Sequence, residues 1–558
     1  MRTMGATLKG VHVPSHPEVV RHNLEYYRKQ AKALLKAYNA GDENATRRFS
    51  LYSPESNPRV GASGAATGSK AKDATRTPRR TKSQSRDVAD NATSRLRDGA
   101  RRSRGWAPAL HDAQLVIARE QGFGSWPRFK AFIVESQLDF QGQVDAFIDA
   151  AVSDGGRARA MLANNPKIAQ AGFYVALLLG DAKQVERVVT ENPALVNAKI
   201  GPQKGEPLLY VCFSRYASGK SDRADDLTET ARVLLRHGAD PNAFFVPEDW
   251  PDNPLPCLYA ASGLNNNPAL TWALLEAGAN PNDSESLYHS TEHRDLASMK
   301  VLLQHGATPK GKNALKHKLD WEGMEGLQLL LEAGGDPNEV NERGETALHW
   351  AVWRGRSTAA IMALLDHGAD INRRRNDGRT AYAIAVVSGQ GEVSELLKAR
   401  GADTALSALD QFVATGGKDG DGIGAVNANG SERLLPDLTA SHRTEAVRAL
   451  LAAGIPLDAR GEAGGTALHW ACWKGYPDLV EVLIEHGAPL GVEDTEFHAP
   501  PSGWLHHGTQ NCGQHDGDFD YAQVARLLIA SGAPMSGCNT PTGNAKVDAV
   551  LREHSLIE

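Results

Sequence analysis

One short phrase, recurring nine times, constrains this chain more than any other feature. It reads HGADPN at 237–242, AGANPN at 277–282, HGATPK at 305–310, AGGDPN at 333–338 and HGADIN at 367–372. It continues as RGADTA at 400–405, AGIPLD at 453–458, HGAPLG at 486–491 and SGAPMS at 531–536. Its glycines are Gly238, Gly278, Gly306, Gly334, Gly368, Gly401, Gly454, Gly487 and Gly532, spaced by 28 to 53 residues with 33 and 34 in mid-range. That period is one helix–turn–helix unit. Such a unit cannot bury its apolar face alone and has to stack on its neighbours.

The residues before each glycine supply the physics. Two large aliphatic side chains stand four and three positions ahead of it in eight of the nine copies, as in Leu234/Leu235, Leu364/Leu365 and Leu483/Ile484. At Gly401 the pair Leu396/Leu397 is shifted by one. A pair so placed lies on one stripe of a last helical turn. The glycine then supplies the left-handed residue that stops the helix.

A second phrase opens the unit. TALHWAVWRG (346–355) and TALHWACWKG (466–475) are near-copies, and Thr346 and Thr466 are placed to cap short helices. Looser versions are RTAYAIAVVSG (379–389), GEPLLYVCFS (205–214) and LPCLYAASG (255–263). These residues resemble the ankyrin repeat, with its T-P-L-H-x-A signature. The resemblance implies an all-α ankyrin-repeat solenoid over 140–540, about eleven units, some degenerate. The units at 144–169 and 173–198 lack the glycine phrase and are similar to divergent first repeats of large bacterial ankyrin proteins.

Outside the array, Leu24, Tyr27, Ala31, Leu34, Leu35 and Tyr38 recur with helical period, so 16–40 is expected to be helical, ended by Gly41. Asp42 is placed to cap a second short helix. Residues 111–135 read as two more helices, broken at Gly122–Trp126. The two stretches resemble the helical leader of bacterial arrays, which implies a cap over the first repeat's apolar face. The resulting organisation is a tail at 1–15, a helical segment at 16–50, a basic insertion at 51–105 and a helical segment at 106–139 completing the cap. The array at 140–540 and a C-terminal capping helix at 541–558 follow.

Within the insertion, 59–105 holds thirteen Lys/Arg against four Asp, a charge of +9, leaving −15 for the rest of a chain that totals −6. It has few large apolar residues and is expected to be disordered. A solvated linker is preferred over nucleic-acid contact, because no aromatics are interleaved for base stacking.

Composition excludes several classes. With 41% apolar and 23% charged residues the chain is of globular type. No run of about eighteen apolar residues suggests a membrane span, and the first residues show no apolar signal region. Five scattered cysteines without C-x-x-C speak against a disulfide framework or structural zinc, and for a reducing compartment; the family resemblance implies a bacterial cytoplasmic protein.

Four near-motifs bear on chemistry. GAATGSK (64–70) misses the spacing and the preceding strand of a phosphate loop. GKDGDGIGAVNA (417–428) lacks the first carboxylate and the bidentate Glu of a calcium loop. HHGTQNCGQHDGD (506–518) gathers His506, His507, Cys512, His515 and Asp516, but in an insertion where solvated side chains are the simpler reading. No hydrolase signature occurs, and His349 and His469 are repeat histidines that, in the resembled family, tie neighbouring loops. No catalytic residue, metal or cofactor is assigned.

The candidate site is therefore a binding surface. Trp353 and Trp473 precede the turn glycine, each followed by a cation, Arg354 and Lys474. The resemblance places these positions on the concave face, where a large aromatic beside a cation is hot-spot chemistry. The alternative is that each ring covers the next repeat. Arg373, Arg374 and Arg375 fall on an expected finger tip. The reading is a non-enzymatic scaffold or adaptor binding another protein. A metal-dependent or enzymatic activity on 497–520, or nucleic-acid contact through 59–105, is the alternative.

Overall fold

The computed structural model describes residues 23–52, 108, 110–121, 126–216, 224–247, 251–417, 433–511, 519–538, 542–554 and 556–557. Expectations for GAATGSK, for the disorder of 59–105, for most of the calcium-like loop and for Cys512, His515 and Asp516 lie outside these residues. The chain divides into two compact units, Met1–Gln143 and Val144–Glu558. Among the described residues the strands are a two-residue pair, Phe244–Phe245 against Leu255–Pro256; the rest of the regular structure is helical.

The first unit holds Leu24–Asn39, Glu43–Tyr52, Leu110–Glu120 and Trp126–Ser136. Asn23 caps the first helix, its Oδ1 accepting from the Tyr26 N–H at 3.1 Å, and Asp42 caps the second through Ala45 at 2.7 Å. Tyr27, Leu34, Phe49, Ile117 and Phe129 form a core of their own. Arg48 clamps Glu120 bidentately at 2.7 and 2.6 Å.

The second unit is a stack of helix pairs, inner helix first. Representative pairs are Phe173–Leu179 with Ala182–Glu191, Ala347–Trp353 with Thr358–Asp366, and Ala467–Lys474 with Pro477–Glu485. Successive inner helices pack on one another, as do successive outer ones. This is the all-α solenoid that the repeat period demands.

The nine phrase glycines explain why the helices stop where they do. All have positive φ, from +75° at Gly532 to +96° at Gly278. A Cβ added at any of them would meet nothing within 4 Å, so backbone conformation alone selects glycine there. In each, the residue after the glycine donates its N–H to the carbonyl five residues back, as Ala239 to Leu234 at 3.0 Å and Ala369 to Leu364 at 3.0 Å. That is the Schellman closure of a helix.

The same backward count resolves the apparent exception at Gly401. The position four before the glycine is fully buried in every copy: Leu234, Leu274, Leu302, Leu330, Leu364, Leu397, Leu450, Leu483 and Leu528 are all at 0% exposure. Leu397 obeys the rule, and Leu396 is the displaced partner. One leucine in each unit thus closes the helix with its carbonyl and fills the core with its side chain, each burial contributing roughly 2 kcal/mol.

The final Asn of the phrase bonds one unit to the next. Asn338 donates to Gly368 O at 2.8 Å and accepts from the Asp370 N–H at 2.7 Å. Asn197, Asn242 and Asn282 make the same pair of bonds to the units that follow them. Asn372 accepts from the Asp403 N–H at 2.7 Å. Lys310, Ala405, Asp458, Gly491 and Ser536 stand at this position in the other five copies, and the Asn ladder is interrupted at Lys310 and ends before Ala405.

After Ala405 the stack is also interrupted. Ala408–Ala414 packs on Ala381–Val387 and on Thr444–Ala452, while the next described helix, Leu434–Ala440, packs on Ala467–Lys474. The apolar core divides earlier, Leu409, Phe412 and Val413 joining Leu434 and Leu438 in the later cluster. One cluster runs from Val144 to Leu397, another from Val387 to Ile557. Trp470 and Trp504 are the exceptions, late residues seated in the early cluster. At the far end Ala545–Glu553, capped by Asn544, buries Val547, Val550 and Leu551.

Candidate functional site

The groove side of the inner helices is built on two capping boxes. Thr346 Oγ1 accepts from the His349 N–H, and His349 Nδ1 accepts from the Thr346 N–H at 3.2 Å. The ring's other nitrogen, Nε2, lies 3.0 Å from Arg373 O, a carbonyl of the following finger. His469 repeats this with Thr466 at 3.1 Å and Ala499 O at 3.1 Å. An Nδ1 that accepts and an Nε2 that donates define one neutral tautomer. Burial, reinforced at His349 by Arg375, drives both imidazoles down to about 4. The structure thus gives these two histidines the loop-tying role expected of them.

From those helices a row of indoles projects. Trp353 lies 5.5 Å from Trp470 in an edge-to-face contact, although they belong to units on opposite sides of the interruption. Trp470 continues to Trp504 at 5.1 Å, and Trp504 to Trp473 at 5.4 Å. Gly508 allows this approach: a Cβ there would stand 2.2 Å from the Trp473 carbonyl oxygen. Trp350 Nε1 and Arg354 Nε both donate to Asp320 Oδ1, at 3.0 and 2.8 Å, and the Arg354 guanidinium sits 5.3 Å from the Trp350 ring and 5.2 Å from the Trp353 ring.

Two of the expected surface residues are placed elsewhere. Trp353 is only 7% exposed, and its indole N–H donates to Asp437. Of the two readings weighed for it, covering a neighbouring repeat is the one its position fits. Arg375 is 6% exposed, so the expected finger tip is corrected at that residue. It bonds Asp377 and pairs with Glu345 at 3.2 Å and Asp437 at 3.7 Å. The reason is charge: three carboxylates converge beneath the finger, and a buried anion needs a cation. Arg373 and Arg374 are exposed. Arg374 pairs with Asp403 at 2.9 Å. Trp473, Lys474 and Arg354 are half-buried on the groove wall.

Sequence reasoning missed the ionic seam around Arg375. Arg433 lies 3.0 Å from Glu345, 3.0 Å from Asp437 and 3.3 Å from Glu462, and Arg343 reaches Glu462 from the other side. Arg433 Nη1 is within ion-pair range of Glu345 and Glu462 but makes no hydrogen bond. Burial opposes the charge on Arg433, and Asp437, Glu345 and Glu462 more than restore it, so its pKa is raised. Burial likewise pushes Glu345 and Asp377 up, but the arginines win, holding Glu345 below its ordinary value and Asp377 down to about 2. Residues 345, 375, 433 and 462 belong to no shared motif, so no sequence signal announces the seam.

Beside the seam is a cavity of about 780 Å³. Its wall takes Trp321, Arg354 and Arg356 from before the interruption, and Trp473, Lys474 and Phe519 from after it. A second hollow of about 570 Å³ lies toward the fingers, bordered by Lys312, Lys316, Glu339 and Trp350. Among the described residues no group of three or more His, Cys, Asp or Glu is arranged to hold a metal ion. Nor is any described helix long and apolar enough to cross a membrane.

The fold and its groove are those of an all-α ankyrin-repeat solenoid. Residues 317–408 match the family model described as ankyrin repeats (3 copies), and 437–484 match ankyrin repeats (many copies). The chain is similar to the B-cell lymphoma 3 protein homolog of Mus musculus, 30% identical over 165 residues, 29% of this chain and 32% of that one. It is 29% identical to inversin of Homo sapiens over 166 residues, 29% of this chain and 14% of that protein. It is 32% identical to the neurogenic locus notch homolog protein 1 of Mus musculus, over 29% of this chain and 6% of that one. The chain thus spans about a third or less of these relatives, all three of them from mammals. Among solved structures, the ankyrin repeat domain of Bcl-3 is 24% identical with a TM-score of 0.19, covering 44% of this chain and 91% of that one. The human ASB11 ankyrin repeat domain is 21% identical with a TM-score of 0.21, covering 43% and 97%.

Proposed function

We propose that this chain is a non-enzymatic scaffold or adaptor that binds another protein through the groove of its inner helices and the tips of its fingers. One observation carries the reading: an aromatic–cation pair, Trp473 and Lys474, stands half-buried on the wall of a large cavity whose lining also includes Arg354. Rigid rings beside cations in a recessed, partly dry setting concentrate binding energy. Arg373 and Arg374 extend the surface at a finger tip. Trp353 and Arg375 contribute by holding the walls in place, since both are buried in the seam. No cofactor, metal or membrane enters this reading. A cytoplasmic setting belongs to it and is supported by Cys212, Cys257, Cys472 and Cys538 being buried thiols. A bacterial source rests on the resemblance of the leader and the divergent first units alone; the mammalian relatives lend it no support.

The test uses the full chain as bait, with covalent cross-linking and mass spectrometry to map the attached residues. Cross-links clustering around 321–356 and 473–519, and their loss on replacing Trp473 with Ala, are the expected result. Cross-links confined to the outer helices, or a bound set unchanged by Trp473→Ala, would remove the groove from the reading.

A further inference from the structure

The cavity between the two halves of the stack has a chemical character of its own. Its apolar side is formed by Trp321, 41% exposed, with Trp473 and Phe519. The acids near it are largely engaged: Asp320 already receives Arg354 and the Trp350 indole, while Glu392 is exposed at the rim. Arg356 is less well compensated. Its Nη2 donates to Arg354 O at 2.8 Å and its Nη1 is 3.5 Å from Glu322, a carboxylate that is 52% exposed. Its Nε has no partner. Burial depresses the Arg356 pKa, so Glu322 does not offset the loss of water around the charge. Lys474 adds a second cation to the lining.

We infer that this cavity receives an acidic segment of the partner protein, with one aromatic or large aliphatic side chain between Trp321 and Trp473 and a flanking carboxylate on Arg356 and Lys474. The inference rests on the binding function proposed above and specifies its partner. Charge complementarity selects the segment: a carboxylate supplies what Arg356 lacks, and the rings reward an apolar neighbour. About 780 Å³ lies within the range of roughly 300–1,000 Å³ that encloses a compact ligand. A nucleic-acid strand fits less well, because Arg354, Arg356 and Lys474 are too few to match its continuous run of phosphates.

Fluorescein-labelled peptides of sequence Glu-Glu-Phe-Glu-Glu, Glu-Glu-Ala-Glu-Glu and Lys-Lys-Phe-Lys-Lys, titrated with the full chain by anisotropy, test this. The acidic phenylalanine peptide is expected to bind at least about tenfold tighter than either control, more weakly as salt rises. Lys474→Gln, and separately Arg356→Gln, should each weaken it by about tenfold, with circular dichroism showing the array still folded. Lys474 is near the surface, so its variant keeps the test valid if Arg356→Gln unfolds. Equal binding of all three peptides, no binding, or equal competition by oligothymidylate overturns the inference. The groove and its occupant are separable. If Trp473→Ala abolishes partner cross-linking while the acidic peptide fails to bind, the occupant is wrong and the groove stands. If the peptide binds but cross-linking ignores Trp473, the groove reading falls instead.

Discussion

The indole N–H of Trp353 donates to Asp437 Oδ1 at 3.0 Å, joining residues 84 positions apart on opposite sides of the interruption in the stack. Asp437 also receives Arg433 and stands 3.7 Å from Arg375, so one carboxylate ties a ring and two guanidinium groups. Trp353 also borders the cavity. The groove therefore depends on residues that are themselves largely buried.

That relationship gives distinct expectations for the two paired tryptophans. Trp353→Ala should cost about 3–5 kcal/mol, as for a large ring removed from a core. Asp437→Asn, which keeps the shape and strips the charge from beside two buried arginines, should cost about 3 kcal/mol. Trp473→Ala, at a half-buried site, should cost roughly 1–2 kcal/mol and leave helicity intact. Urea denaturation followed by circular dichroism checks all three. A Trp353→Ala variant as stable as the parent would place that ring outside the core.

The two loop-tying histidines make stability fall with acid. Folding depresses each from 6.5 to about 4, so the native state refuses a proton that the unfolded chain accepts. Their contribution is complete above pH 6.5 and is lost progressively as pH falls toward 4, by roughly 3 kcal/mol per histidine. Urea midpoints measured across this window should drop steeply for the parent chain. His349→Gln should start lower at neutral pH and decline less. Parallel slopes for parent and variant would show that His349 titrates alike in both states.

Two glycines should respond oppositely to the same pair of replacements. Gly368 has φ +86° and open space around its missing Cβ, so Gly368→Ala should cost about 1–2 kcal/mol and Gly368→Asn distinctly less, because Asn tolerates the left-handed region. Gly508 is helical and presses on the Trp473 carbonyl, so Asn there should be no better than Ala and both should disturb the wall that carries Trp473. Thermal melts of the four variants decide it. Equal penalties for Ala and Asn at Gly368 would deny that backbone conformation selects that glycine.

The asparagine ladder can be both cut and extended. Asn338→Ala removes two inter-unit bonds and should cost about 1–3 kcal/mol. Lys310→Asn restores the missing rung and should add about 0.5–1.5 kcal/mol. Denaturation midpoints read both. No gain at position 310 would mean that the fingers there are spaced too far for the side chain to reach.

What the sequence determined by itself is the unit and its repetition. Each helix stop, its buried leucine and its closing bond lie within six consecutive residues, as from Leu364 to Ala369, so a local phrase carries the whole instruction. The capping histidines are legible for the same reason, with Thr346 and His349 three positions apart. Tertiary structure alone decided which of two cavity-lining tryptophans is buried and which is half-exposed. Trp353 and Trp473 have near-identical neighbours in sequence, but Trp353 is sealed by Asp437 and Trp470 while Trp473 is left half-buried beside a cavity. Arg373, Arg374 and Arg375 are likewise indistinguishable in a charged turn until Glu345, thirty positions back, and Asp437, far ahead, converge on Arg375. Burial is set by whichever distant residues arrive, and the interruption after Ala405 chose which ones could.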